Sequence, residues 1–136
     1  MTRLSAGQFG LAYLAVLTVL LVLDGMWLGV VAKGLYQREM GSLLADSVRI
    51  GPAVLFYAIY PAALVYLTLF TEPRSWTEAA LRGAVLGVAA YGAYNLTNLA
   101  ILRDWPIRIS AIDWVWGTFL GAVSATAGYA ATWGRA

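Results

Sequence analysis

Four long stretches of apolar residues without any charged side chain dominate the chain. They are Leu4–Leu23, Ile50–Thr71, Gly83–Leu102 and Trp114–Gly134. A helix of about 20 mostly apolar residues is long enough to cross the hydrocarbon core of a bilayer. The strands of a membrane barrel would instead alternate apolar and polar residues, which these stretches do not. The pattern predicts an all-α protein built as a bundle of four transmembrane helices.

Polar residues mark the predicted helix starts. In a capping box, a Ser and an acidic or amide residue three positions later bond the free N–H groups of the first turn. Three such pairs occur near apolar stretches: Ser5 with Gln8, Ser75 with Glu78, and Ser110 with Asp113. We therefore expect helices at about 5–32, 50–71, 77–102 and 111–134, which together form a single integral membrane domain over residues 1–136.

The connections between the predicted helices differ in length. The second and third are short and predict tight helical hairpins. The first, Lys33–Arg49, mixes apolar residues with Arg38 and Glu39, a pattern typical of a helix that lies on lipid headgroups. The alternative is a first helix that simply extends beyond the bilayer.

Four crossings would place both chain termini on the same side of the membrane. Lys33, Arg38 and Arg49 in the first connection outnumber Arg3 at the N-terminus, which favours a cytoplasmic first connection under the positive-inside rule. Over the whole chain the basic residues divide almost evenly between the two sides. We call the end of the bundle that carries the first and third connections the B end.

Composition agrees with a lipid-embedded chain and excludes several functions. The 136 residues are 61% hydrophobic and 12% charged, whereas a soluble domain has about 25% charged residues. The basic residues are scattered, without the stripe that nucleic-acid binding requires. The chain has no Cys and no His, which excludes disulfides, thiol nucleophiles and ordinary zinc sites. We predict no metal site and leave the cofactor open.

Asp24 is the most informative single residue, because it follows an uncharged stretch within the first predicted helix. Acidic residues inside membranes usually face a bundle interior or a cavity and often mark a function. Lys33 lies nine residues later, about half a turn out of phase, and cannot pair with Asp24 on a straight helix. We therefore expect either a partner for Asp24 on another helix or a protonated Asp24 carboxyl.

Polar and aromatic residues of all four predicted helices gather towards the B end. On the third helix, Tyr91, Asn95 and Asn98 share one face through their spacing. We predict that the helices enclose a ligand-binding site there. Its candidate residues are Asp24, Trp27, Tyr57, Tyr60, Tyr91, Asn95, Asn98, Asp113 and Trp116.

Several of these residues also have purely structural explanations. Asp113 could only cap its helix together with Ser110. Asn95 and Asn98 could be packing contacts between helices, and the aromatic residues could form an interfacial belt. The local pattern Asp-x-x-Trp occurs twice, at 24–27 and 113–116. It gives no convincing internal repeat, because the two copies lie at opposite ends of their helices.

Small residues line one face of each of the last two helices. Gly83 and Gly87 lie on the third, and Gly117 and Gly121 on the fourth. Glycines let another helix approach closely. We predict that these positions serve a homodimer contact or a membrane-protein partner.

Four short sequence strings in the chain carry a resemblance to a protein family. They are DGMWLG at 24–29, YAIYP at 57–61, YGAYNLTN at 91–98 and DWVWG at 113–117. Together they resemble a family of small bacterial membrane proteins with four predicted helices and unknown function. The resemblance implies a bacterial inner-membrane protein and brings no activity, substrate or catalytic residue.

The favoured function is binding or transport of a small cation, a proton or an amphipathic molecule at the B-end site. Two alternatives stay open. The protein could be an accessory subunit of a membrane complex, or a lipid-modifying enzyme in which Asp24 and Asp113 act as an acid–base pair.

Overall fold

The computed structural model describes residues 2–135, and over these residues the protein is all-α. Helix α1 continues directly into a π-helical turn, and α2 into a 3-10 turn. The elements are α1 Ala6–Met26, the π turn Trp27–Val31, α2 Lys33–Met40, the 3-10 turn Gly41–Leu43, α3 Ile50–Leu69, α4 Trp76–Ile101, α5 Ile107–Ala131 and a 3-10 turn Trp133–Arg135.

Three of the described helices are long and apolar enough to cross a membrane. They are α1 with its π turn (Ala6–Val31), α3 and α4. Helix α5 is also long, but its buried face carries Gly117, Gly121, Ser124 and Gly128, which lowers its apolar content. The protein is therefore an all-α chain with three candidate membrane spans, and apolarity alone does not identify the predicted fourth.

Helix α1 packs through a stripe of residues spaced four apart. Ala12, Val16 and Leu20 are fully buried on this stripe, and Asp24 continues it with only 6% of its surface exposed. Residues four apart lie on one helix face, so the carboxylate enters the same interior as the aliphatic core. Gly128 of α5 lies against Val16 and completes the contact with α1.

Helices α4 and α5 form an antiparallel hairpin that closes through glycines. Gly83 lies against Gly121, and Gly87 against Gly117; all four are buried. The prediction that these glycines form an exposed face for a homodimer or a partner is wrong. Consecutive antiparallel helices with small residues at matching spacing pack against each other, so both stripes are already used within the chain.

Both described ends of the chain contact the C-terminal end of α3. The N–H of Leu4 donates to the carbonyl of Phe70 at 3.0 Å, and the N–H of Glu72 donates to the carbonyl of Thr2 at 3.1 Å. The indole N–H of Trp133 donates to the carbonyl of Leu69 at 3.0 Å. The two termini therefore lie together at the end of the bundle opposite the B end.

Two of the three predicted capping positions begin a helix. Ser5 and Gln8 form a complete capping box at α1. Ser75 accepts the N–H of Glu78 at α4. The Glu78 carboxylate accepts the backbone N–H of Arg74 instead of completing a box with Ser75.

The third capping prediction, Ser110 with Asp113, is wrong. Helix α5 begins at Ile107, with Pro106 as its N-cap. Ser110 donates its hydroxyl to the carbonyl of Pro106 at 2.6 Å. The fixed φ angle of proline suits a helix start, and the helix thus begins about one turn earlier than predicted. Asp113 is left free for tertiary contacts.

Arg82 joins the end of α3 to α4. Its guanidinium donates to the carbonyls of Thr68 and Thr71 at 3.0 Å each and forms an ion pair with Glu78 at 2.7 Å. Replacing Arg82 with Gln is expected to lower the free energy of unfolding by about 1.5–3 kcal/mol, the usual worth of hydrogen bonds to charged groups. Unfolding in mixed detergent micelles measures this change.

Arg74→Gln is the matched control for this prediction. The Arg74 side chain is 95% exposed and stands 3.9 Å from Glu78. Its replacement should change stability by less than about 0.5 kcal/mol, as surface substitutions usually do. Equal effects of the two variants would refute a bridging role for Arg82.

Candidate functional site

A cavity of about 440 Å³ lies between α1, α3, α4 and α5 in the half of the bundle nearer the B end. Two carboxylates and seven aromatic side chains contribute to its wall, with two small or aliphatic residues. The lining residues are Asp24, Trp27, Leu28, Phe56, Tyr57, Tyr60, Ala90, Tyr91, Tyr94, Asp113 and Trp116. Its size is within the range of small-molecule sites, which measure about 300–1,000 Å³.

Asp24 is held by donors from two other helices. The hydroxyl of Tyr57 on α3 donates to Oδ2 at 2.6 Å. The indole N–H of Trp116 on α5 donates to Oδ1 at 2.9 Å. The partner expected on another helix is thus a pair of uncharged donors. An ionised carboxylate has about four acceptor positions, so two donors leave it further capacity.

Asp113 is held in the same way, by two uncharged donors. The hydroxyl of Tyr36 donates to Oδ1 at 2.7 Å, and the amide of Asn95 donates to Oδ2 at 2.8 Å. Asn95 is 2% exposed and also donates to the carbonyl of Tyr91 at 3.0 Å, which orients its amide. Asp113 therefore joins α2, α4 and α5, and the helix-cap explanation does not apply.

The side chains of the two Asp-x-x-Trp patterns contact each other. The rings of Trp27 and Trp116 stack with centroids 4.4 Å apart and planes 7° from parallel. Trp116 donates to Asp24, whereas Trp27 donates to the hydroxyl of Tyr36 at 3.4 Å, and Tyr36 donates to Asp113. Trp116 of α5 thus bonds the aspartate of α1 directly, whereas Trp27 of α1 reaches the aspartate of α5 through Tyr36.

Neither cavity aspartate has a basic partner. Within residues 2–135 the ion pairs join Glu78 to Arg74 and Arg82, and Glu39 to Arg108. Buried charges in proteins are usually paired with an opposite charge. The cavity wall therefore carries two carboxylates whose hydrogen-bond partners within the described chain are all uncharged.

Tyr60 contributes a hydroxyl without a partner. The residue is 7% exposed and lines the cavity, and its buried oxygen makes no hydrogen bond with the described residues. Its ring stacks on Phe56 at 5.1 Å and meets the edge of Tyr91 at 6.3 Å. At least about 90% of buried polar groups find a partner, so this hydroxyl calls for an explanation.

A comparison with known protein families identifies the chain. Residues 9–130 match the family described as predicted membrane protein (DUF2177). The chain belongs to this family. No match was found among the curated proteins, and none among the solved structures. All residues of the cavity wall lie within the matched range. Membership confirms the resemblance and the membrane character and specifies neither a ligand nor a reaction.

Most of the site residues expected from the sequence meet at the cavity. Seven line it directly: Asp24, Trp27, Tyr57, Tyr60, Tyr91, Asp113 and Trp116. Asn95 stands behind Asp113 and positions its carboxylate. Asn98 does not line the cavity. It is half-buried and lies about 4.5 Å beyond Asn95 along α4. Its side chain makes no hydrogen bond with residues 2–135.

Tyr36 is the main residue that sequence reasoning missed. It lies in the connection Lys33–Arg49, whose pattern predicts contact with lipid headgroups, but its hydroxyl reaches Asp113. Burial raises the pKa of the Tyr36 phenol above its ordinary value, so the group remains a donor at neutral pH. No signal along the chain predicts this contact, because it depends on the direction of α2 after the break at Ala32.

Other missed wall residues had a detectable signal. Phe56 precedes Tyr60 by four positions, and Tyr94 follows Tyr91 by three. Residues at these spacings share a helix face, so both aromatic residues could have been assigned to the site. Leu28 and Ala90 are ordinary apolar residues in the pattern, and only the packing identifies them.

Proposed function

We propose that the protein is a membrane-embedded binding protein that holds an amphipathic molecule in the B-end cavity. The observation that carries the proposal is the cavity wall, in which seven aromatic side chains surround two carboxylates. Small-molecule sites are mostly apolar, with a few polar groups that set the orientation of the ligand. An amphipathic molecule matches both parts of this wall.

The rim of the cavity favours access from the lipid phase. Leu28, Phe56 and Tyr94 belong to the wall, and with 49%, 41% and 53% of their surfaces exposed they suit an opening of the cavity at the outer surface of the bundle. In a membrane this outer surface contacts lipid chains. An amphipathic molecule could therefore pass from the bilayer between the helices without crossing the whole membrane.

We also propose that α5 is a fourth crossing, so that both termini lie on one side of a bacterial inner membrane. A helix of 25 residues extends about 37 Å, which exceeds the hydrocarbon thickness of about 30 Å. Gly117 and Gly121 of α5 face α4, and Gly128 packs against α1 and α3. Its exposed residues include Val115 and Phe119, at 71% and 51%, which suit contact with lipid.

Ligand binding, measured with and without a substitution that fills the cavity, tests the proposed function. The protein is placed in phosphatidylcholine nanodiscs and titrated with octylammonium, octanol or octyl sulfate. Calorimetry measures the heat of binding, from which the heat measured with empty nanodiscs is subtracted. We expect saturable binding of at least one probe. Ala90 lines the cavity, and Ala90→Phe should weaken that binding at least about tenfold, because the added ring occupies the space of the ligand.

Ala89→Phe is the matched control, since Ala89 is exposed and lies outside the cavity wall. It should bind like the unmodified protein. Absence of saturable binding for all three probes, or equal losses in both variants, would contradict the proposal. A fixed protein partner that co-purifies in that case would favour an accessory subunit.

A further inference from the structure

The two carboxylates of the cavity, Asp24 and Asp113, keep unused acceptor capacity. The protein donors nearest the carboxylates are already engaged, because Tyr57 and Trp116 donate to Asp24, and Tyr36 and Asn95 donate to Asp113. Ionised carboxylates only accept hydrogen bonds, and each has about four acceptor positions. A ligand that satisfies both carboxylates must therefore bring donors.

Tyr60 gives a second, independent observation on this wall. The residue lines the same cavity as both carboxylates, and none of the described residues bonds its buried hydroxyl. A phenol oxygen accepts hydrogen bonds as well as donating them. A ligand with several N–H donors on one atom could contact this oxygen and a carboxylate together.

The charge and the aromatic surfaces favour a cationic head. No Lys or Arg within residues 2–135 forms an ion pair with Asp24 or Asp113, and the faces of Trp and Tyr rings attract cations. A divalent metal ion fits less well, since calcium takes about six to eight oxygen ligands. Aromatic rings occupy most of this wall.

We infer that the head of the ligand is a protonated amine, seated at the carboxylates of Asp24 and Asp113 with its N–H groups also within reach of Tyr60. The apolar part of the ligand lies along the aromatic wall. This inference rests on the proposed function and narrows its ligand to amphipathic amines. It predicts that octylammonium binds at least about tenfold more tightly than octanol or octyl sulfate, as expected for a charged hydrogen bond.

Removing one carboxylate tests the role of charge. Asp113→Asn should weaken octylammonium binding at least about tenfold, because the substitution removes a charge that pairs with the amine. Asp104→Asn makes the same change in net charge at an exposed residue outside the cavity. The φ angle of Asp104 is 62°, which asparagine tolerates, so this control should bind normally.

Tyr60→Phe tests the inference without disturbing a bond that holds the fold, because the hydroxyl has no described partner. It should weaken octylammonium binding about three- to tenfold, the usual worth of a single hydrogen bond. Octyltrimethylammonium has no N–H group and should bind both proteins equally. An equal loss for the two cations would overturn the assigned contact with Tyr60.

The outcomes separate this inference from the proposed function. If octanol or octyl sulfate binds as tightly as octylammonium, and Ala90→Phe abolishes that binding, the cavity is a binding site and the amine inference is wrong. If no probe binds saturably, the proposed function fails as well. If Asp113→Asn does not fold, the Tyr60→Phe comparison decides the inference alone.

Discussion

Replacing Gly83 with alanine is expected to destabilise the protein by about 3 kcal/mol, at the upper end of the usual cost of overpacking. A methyl group at this position would overlap the backbone carbonyl of Gly121 and approach the side chain of Ala125. A backbone cannot rotate away as a flexible side chain can. Helices α4 and α5 would have to separate, and the cavity wall that they share would open.

Gly10→Ala is the control for this effect, because a Cβ at Gly10 meets no atom within 4 Å. Alanine is favoured over glycine inside a helix by about 1 kcal/mol, so this variant should be as stable as the parent or more so. Unfolding followed by circular dichroism in mixed micelles compares the two. A Gly83→Ala protein as stable as Gly10→Ala would disprove the close contact.

Replacing Asp24 with leucine is expected to cost about 2–6 kcal/mol, because two half-buried donors lose their acceptor and each unsatisfied donor costs about 1–3 kcal/mol. Tyr57 and Trp116 are those donors. Asp46→Leu removes an exposed carboxylate from the first connection and should have little effect on stability. The same micelle titration measures both variants.

A double-mutant cycle identifies the cause of that loss. In the Asp24→Leu background, Tyr57→Phe removes one of the stranded hydroxyls and should recover part of the stability, since deleting both partners of a bond is often nearly neutral. In the parent, Tyr57→Phe alone should be destabilising. Strictly additive effects of the two substitutions would show that the bond between them contributes nothing.

The repeated Asp-x-x-Trp pattern shows what a correct sequence observation leaves undecided. The two copies lie at opposite ends of their helices, which argues against an internal repeat. Helices α1 and α5 are antiparallel, however, and opposite ends of antiparallel helices meet. The two patterns therefore face each other and interlock through the stacked rings of Trp27 and Trp116. Helix direction within the bundle decides this contact.

The glycines of α4 and α5 show where the sequence reasoning was wrong. Their spacing correctly predicts close helix contact, since a glycine-lined face admits another backbone. The partner was wrong, because the pattern of Gly83 and Gly87 carries no information on which helix approaches. The short connection between α4 and α5 brings Gly117 and Gly121 to them first.

By itself the sequence determined the all-α class, the membrane character and most of the residues around the cavity, because apolar run length and helical periodicity are local properties. Only the tertiary structure decided that Tyr36 folds back onto Asp113, that Asn98 stays outside, and that the glycines close an internal hairpin. These contacts join positions far apart in the chain. Helix directions and packing create them, and no local pattern encodes either.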